Sequence, residues 1–239
     1  MCILNVLQFL YNNELFWVIV ITLYALLVTV LTKYPYRWML DAGLEKNVAV
    51  YYDRKIVHML AGGVALFAVP FVFKDGSFPF PYIYPLIVGL SLSVLTLIPH
   101  LTGNLIESVQ VEKNENEVHF CLMWGLSVFV LWVVIDNPWI AIIPPVFMAF
   151  GDGITGVVRN LMYQKRTKSP VGNVFMLALS APVGFFLAAQ GGIAMWGLIA
   201  AVVASYLERY EFGPIDDNIL ITVSASLVLY IGHLIGPII

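Results

Sequence analysis

Three short polar islands hold most of the side chains in this chain that could do chemistry. They are Asp53-Arg54-Lys55-Ile56-Val57-His58; Gly151-Asp152-Gly153 with Arg159 and Lys165-Arg166-Thr167-Lys168-Ser169 behind it; and Glu208 followed by Asp216-Asp217-Asn218. Arg presents a planar fork of donors that matches phosphate oxygens, and Lys a compact point charge. Carboxylates beside an amide are hard oxygen ligands of the kind Mg²⁺ accepts while phosphates complete its shell. A cation set and a carboxylate set together point to binding of a Mg²⁺–nucleotide. The surroundings sharpen the inference, because an ionisable group at a membrane helix centre costs roughly 2.5–3.5 kcal/mol on insertion scales.

Each island also has a plainer explanation. If a helix has begun by Arg54, His58 lies one turn further along the same face, where it could orient a phosphate or hydroxyl. Equally, Arg54 and Lys55 are expected at a cytosolic membrane edge, and His58 could be a satisfied interhelical hydrogen bonder. Asp152 falls about 14 residues beyond Pro138, roughly 21 Å along a helix. At that depth it suits a Mg²⁺ ligand or a general base, the alternative being a re-entrant turn whose Asp caps a half-helix. Arg159 and Lys168 precede Ser169-Pro170, an expected helix start, and a helix N-terminus with nearby cations makes a phosphate clamp. Asp216, Asp217 and Asn218 are metal-ligand types and also good N-caps. Glu208 supports the same carboxylate set.

These residues need apolar helices to hold them. Of 239 residues, 60% are hydrophobic and 11% charged, against about 25% charged in a soluble domain. The expected class is an all-α polytopic membrane protein, one integral membrane domain over 1–239. About eight spans are expected, near 14–32, 56–73, 82–99, 119–135, 138–158, 174–190, 191–207 and 218–236, with the 138–158 helix broken at Gly151–Gly153. The first span has no basic n-region and no small-residue cleavage site, so it is expected to be an anchor. With eight spans, segments 33–55, 100–118, 159–173 and 208–217 share a face and hold every Lys and Arg except Lys74. Basic loops mark the cytoplasm, which places all three islands there and both termini outside.

The remaining features are quieter. Cys2 and Cys121 are too few and too apolar in context for a disulfide framework or metal set, and are expected to be inert packing residues. The 74–82 loop, rich in Pro and aromatics, suits the outer interface. The 101–118 loop, with Glu107, Glu112, Glu115 and Glu117, is expected to be a solvated acidic connector. No repeat, low-complexity tract or nucleic-acid signature is present.

The islands also carry a family resemblance. Arg54-Lys55-x-x-His58 resembles the Arg-Lys-x-x-His element of the dolichol kinase and phytol kinase family, membrane enzymes that phosphorylate polyprenols with CTP. Gly151-Asp152-Gly153 with Lys168-Ser169, and Glu208 with Asp216-Asp217-Asn218, resemble that family's later elements, in the same order over about 53–220. The resemblance departs after Lys168-Ser169, where the family's acidic residue is replaced in Pro170-Val171-Gly172-Asn173. It implies CTP as donor, an isoprenoid alcohol as acceptor and Mg²⁺. Arg54, Lys55, Arg159, Lys168 and Ser169 would then bind the triphosphate. Asp152, Asp216, Asp217 and Asn218 would hold the metal, with Asp152 or His58 accepting the alcohol's proton. Two alternatives stay open: a CTP-dependent cytidylyltransferase making a CDP-lipid, and a non-enzymatic carrier of a phosphorylated lipid or metabolite.

Overall fold

A computed structural model describes residues 13–73, 80–112, 114–165 and 167–238. Cys2, Lys74 and most of the 74–82 loop, Lys113 and Arg166 lie outside the described residues. The local start and stop signals act as their chemistry requires. The Asn13 side chain accepts the Phe16 N–H and begins α1 (Glu14–Leu31), which continues through Thr32 into the short α2 (Lys33–Asp41). Helix α3 (Lys46–Val72) is followed by α4 (Ile83–Thr102), which stops at Gly103 in the left-handed region, φ 72°. After α5 (Asn116–Ile135), Asn137 accepts from the N–H groups of Trp139 and Ile140 and Pro138 occupies the first turn, which starts α6 (Pro138–Tyr163). Then come α7 (Pro170–Ala189), a Gly191-Gly192 turn, α8 (Ala194–Leu207) and α9 (Asp217–Ile235), the last capped by Asp216 accepting from the Ile219 N–H.

Seven of these helical segments are long and apolar enough to cross a membrane, as an integral membrane protein requires. Helix α8 is apolar but has only 14 residues, about 21 Å against a hydrocarbon core of about 30 Å. One correction concerns α3, which begins at Lys46 rather than near 56, so the first polar island lies inside a helix. The 138–158 span turns at Ile142 and carries a π-helical turn, Phe147–Gly151, before it continues as α-helix from Asp152 through Gly153.

Helix α6 is the axis of the bundle. Its residues 140–149 are all buried, and they form the centre of the apolar core with Leu66, Leu131, Met176, Ala200 and Leu229 from its neighbours. By contrast α1 exposes Leu15, Ile19, Leu23 and Leu27, a lipid-facing pattern. Association of apolar helices in lipid relies on close packing, which small residues permit. At the α7–α8 crossing, a Cβ on Gly184 would sit 2.6 Å from the Gly197 carbonyl oxygen, and one on Gly197 would collide with the Gly184 carbonyl. Neither backbone can retreat without parting the helices. Gly197→Val is therefore expected to cost about 1–3 kcal/mol, read as a lower unfolding temperature in detergent.

Candidate functional site

The site lies at one end of the bundle, where α3, the connection 103–115, the α6–α7 connection and the α8–α9 connection meet. Cross-chain bonds tie them: Lys46 to Glu107 at 2.7 Å, Arg54 to Asn114 at 3.2 Å, Lys55 to Asp152 at 2.5 Å and Lys168 to Asp217 at 2.7 Å. The four segments assigned from the sequence to one face therefore do converge at one end. Which side of a membrane that end faces is a separate matter of topology.

Helix periodicity supplies the first side of the site. Tyr51, Arg54, Lys55 and His58 fall on successive turns of α3 and line one small polar pocket with Asp152, Asp217 and Asn218. At His58 the helix widens into a π turn, His58–Gly63, which packs against the π turn of α6 that ends just before Asp152. π turns inside α-helices are frequent at functional sites. The Lys55 stem crosses α6 at Gly156, where a Cβ would lie 2.5 Å from its Cε. Its ammonium reaches Asp152 and also lies 5.3 Å from the Tyr51 ring centre.

The second side is built around Glu208. Arg159 grips it with both terminal nitrogens, at 2.7 and 2.8 Å, each side chain being only 1% exposed. The remaining guanidinium contacts go to the Ser169 carbonyl at 2.9 Å and Asn173 Oδ1 at 3.0 Å. Asn173 completes the ring by donating to Glu208 at 2.9 Å and to the Ser205 carbonyl. Gly172 leaves the necessary room, since a Cβ there would lie 2.5 Å from Arg159 Nε. Lys168 joins from the rim, 3.2 Å from Glu211 and 3.3 Å from Glu208. Burial opposes the Lys168 ammonium, but the carboxylates of Asp217 and Glu208 outweigh it and hold its pKa above the ordinary lysine value.

Placed side by side, Lys55, Arg159 and Lys168 face Asp152, Glu208 and Asp217. Carboxylate oxygens of these three acids all lie within 4.8 Å of one another. Oxygens opposite each other around Mg²⁺ are about 4.2 Å apart at 2.0–2.1 Å bond lengths, so modest side-chain rotation would let the three converge on one such cation. The acids fit a hard divalent metal, provided their ammonium partners turn elsewhere.

Not every sequence candidate joins this group. Asp216 caps α9 and pairs with His119 at 3.1 Å. Burial and the Asp217 carboxylate push its pKa up, against the Ile219 N–H and His119. Asn218 donates to Asp216 at 3.2 Å and to the Asn116 carbonyl at 3.1 Å, leaving its Oδ1 buried and without a partner. Ser169 makes no side-chain cap; its hydroxyl shares a 3.1 Å hydrogen bond with Tyr163. His58 is stacked on Phe120 at 3.8 Å, with both ring nitrogens unpartnered and Nδ1 4.0 Å from Asp152. Cys121 is partly buried among the helices and far in character from this polar group.

Sequence reasoning missed Tyr51, Asn114, Asn116, Glu117 and His119. Tyr51 had a signal, one helical turn before Lys55. Asn114 and Asn116 had none, because the acidic connector holding them gains meaning only where it folds over the site. There it lines a broad cleft of ≈ 1160 Å³ together with His119, Glu211 and Asp216. Comparison with protein families, curated proteins and solved structures finds no match to this chain.

Two outcomes follow from the ion pairs. Removing one partner of the Arg159–Glu208 pair leaves a buried charge, so Arg159→Met or Glu208→Gln is expected to cost about 3–5 kcal/mol, while Arg159→Met with Glu208→Met restores much of it; thermal unfolding in detergent measures both. The raised Lys168 pKa means its stabilising contribution is complete below the ordinary lysine value and fades only as the pH climbs through the higher folded one. The deficit of Lys168→Met against wild type should thus be the same at neutral and mildly alkaline pH, and shrink only in strong alkali.

Proposed function

We propose that this protein is a membrane-embedded, Mg²⁺-dependent lipid kinase that moves the γ-phosphoryl group of a nucleoside triphosphate to an isoprenoid alcohol. The family resemblance nominates CTP as the donor. With α8 counted as an eighth crossing, the basic loops put the site on the cytoplasmic side and both termini outside.

The observation that carries this reading is the three-cation, three-carboxylate network beside a polar pocket and a wide cleft. The three cations match the three carboxylates in formal charge, with Glu211 beside Lys168 at the rim. A Mg²⁺–nucleotide offers each half a new partner: phosphate oxygens for the ammonium groups, a divalent ion for the carboxylates. Exchange of partners keeps every charge matched, which a low-dielectric site demands. Volume supports a division of places. The polar pocket, ≈ 40 Å³, holds only a few water-sized groups at about 10–15 Å³ each. It suits a cation and a hydroxyl, while the nucleotide needs the cleft of ≈ 1160 Å³.

Phosphoryl transfer depends mostly on positioning and charge neutralisation. Lys168, the most accessible cation of the three, turns from Asp217 to the triphosphate. Arg159 keeps Glu208 fixed, and Lys55 turns from Asp152 to the phosphates. The alcohol oxygen forms its bond to the γ-phosphorus as the bond to the β–γ bridging oxygen breaks. The nucleoside diphosphate leaves, and the alcohol's proton passes to Asp152. Mg²⁺, held by Asp152, Glu208 and Asp217, would neutralise charge on the β- and γ-phosphates.

The test is label transfer from γ-³²P-CTP, with ATP and GTP as competitors, Mg²⁺ and a panel of isoprenoid alcohols. Label should enter a lipid monophosphate, and Asp152→Asn should lower the rate by about 10²–10⁴-fold. A CDP-lipid formed instead from a lipid phosphate and α-labelled CTP would replace this reading with the cytidylyltransferase. Transfer unaffected by Asp152→Asn would remove Asp152 from the chemistry.

A further inference from the structure

Next to the polar pocket, on the far side of His58, lies a second cavity of ≈ 120 Å³ between α1, α3, α4 and α5. Small residues are frequent in its wall: Ala25 from α1, Ala61, Gly62 and Ala65 from α3, and Gly89 from α4. Its other polar lining is locally satisfied. Thr29 donates to the Ala25 carbonyl, Thr96 to Leu92, and Gln110 to Thr96 while accepting from the Ile106 N–H. The buried atoms left without hydrogen bonds in its wall are the two His58 ring nitrogens and Glu117 Oε2, all at one end. Arg54 and His58 belong to the walls of both this cavity and the polar pocket. At the rim, Leu26 and Leu95 are 38% and 42% exposed on the apolar outer surface.

From this shared wall at His58 we infer that the cavity seats the hydroxyl-terminal isoprenoid unit of the acceptor, with its hydroxyl reaching past His58 toward Asp152. The inference rests on the kinase reading above. His58 Nδ1 and Asp152 Oδ2 are 4.0 Å apart, so one oxygen can lie at about 2.8 Å from both. His58 thus acts as a positioning donor or acceptor for the alcohol, and Asp152 takes its proton. Size limits what enters. An apolar cavity of about 150 Å³ accepts benzene, six carbons, so ≈ 120 Å³ matches one five-carbon isoprenoid unit. The rest of the chain leaves past Leu26 and Leu95 into the bilayer. Donor and acceptor then approach the site from opposite sides of the His58–Arg54 partition. The protein reads the first isoprenoid unit closely and is indifferent to total chain length.

The experiment uses the full chain in lipid nanodiscs and a short isoprenoid alcohol carrying a diazirine on its hydroxyl-terminal unit. After irradiation, the labelled residues are mapped by mass spectrometry. Label should fall on the α1 and α3 walls around Ala25, Ala61 and Ala65, and long and short isoprenoid alcohols should compete for it equally at matched membrane mole fraction. Ala65→Phe, and separately Ala25→Leu from a different helix, should each lower labelling and acceptor kcat/KM by about tenfold or more, with stabilisation by Mg²⁺–CTP unchanged. Label confined to the outer lipid-facing surface in a protein that still phosphorylates alcohols would overturn the cavity assignment and leave the kinase standing. Equal labelling by a photoactive phospholipid, not displaced by alcohol, would also overturn it, making the cavity a general lipid crevice. Cavity labelling displaced by alcohol without any phosphoryl transfer would instead support the binding site and count against the kinase reading.

Discussion

A buried charge in an apolar bundle must find an opposite charge or its desolvation cost is not recovered, and this requirement organises the functional end of the protein. Arg159 and Glu208 come from α6 and the end of α8, with the whole of α7 between them, yet they meet in a two-pronged contact at 1% exposure. The contact fixes the angle between the end of α8 and the last turns of α6. Asn173 and the Ser169 carbonyl tie in the start of α7. Lys168 then bridges to Asp217 at the start of α9. Four helix ends are thus held by a single connected set of polar contacts, and Lys55–Asp152 joins α3 to the same set. Replacing the set by apolar residues could pack as well, since buried ion pairs are weak evidence for stability as such. Its retention makes sense as poise, charges matched for now and able to change partners.

Geometry of the backbone brings the second half of the site into register. Both π turns, His58–Gly63 on α3 and Phe147–Gly151 on α6, adjoin a residue of the candidate chemistry. A π turn holds an extra residue per turn and shifts the face presented downstream. The two turns pack together, so His58 and Asp152 are aimed at the same small space. Gly156 and Gly172 do a complementary job, leaving room for the long stems of Lys55 and Arg159 to pass. Small residues therefore have two distinct uses in this bundle: close helix approach at Gly184–Gly197, and passage for charged side chains near the site.

Three adjoining spaces complete the arrangement: a wide polar cleft, a small polar pocket and an apolar cavity, the pocket sharing Asn114 and Asn116 with the cleft and Arg54 and His58 with the cavity, and the cleft meeting the cavity at Gln110. The cleft, carrying Glu107, Glu112, Glu115 and Glu211, and the small pocket are both polar, and only the cavity is lined chiefly by aliphatic and aromatic groups. Two polar spaces beside an apolar one fit the proposed reaction between a highly charged donor and a hydrocarbon acceptor. The acidic cleft also disfavours a bare triphosphate, which is consistent with a donor that arrives with its divalent cation.

Much of this was legible in the sequence. Composition and apolar run lengths determine an all-helical membrane bundle, because only long apolar helices satisfy their own backbone in hydrocarbon. The three islands stand out because ionisable residues are rare there, and their chemical types suit phosphate and a divalent metal. Helix starts at Glu14, Pro138 and Asp217 could be read from their caps, since capping is a local interaction. What only the tertiary structure decided is which charge meets which. Glu208 rather than Asp216 stands with Asp152 and Asp217, because the cap of α9 turns Asp216 toward His119 while Arg159 draws Glu208 inward. Asn114, Asn116 and the apolar cavity could not be seen at all, for they arise from a connector folding over the site and from gaps between four helices. Periodicity and capping act over a few residues, whereas ion pairing and cavity shape depend on groups far apart in the chain.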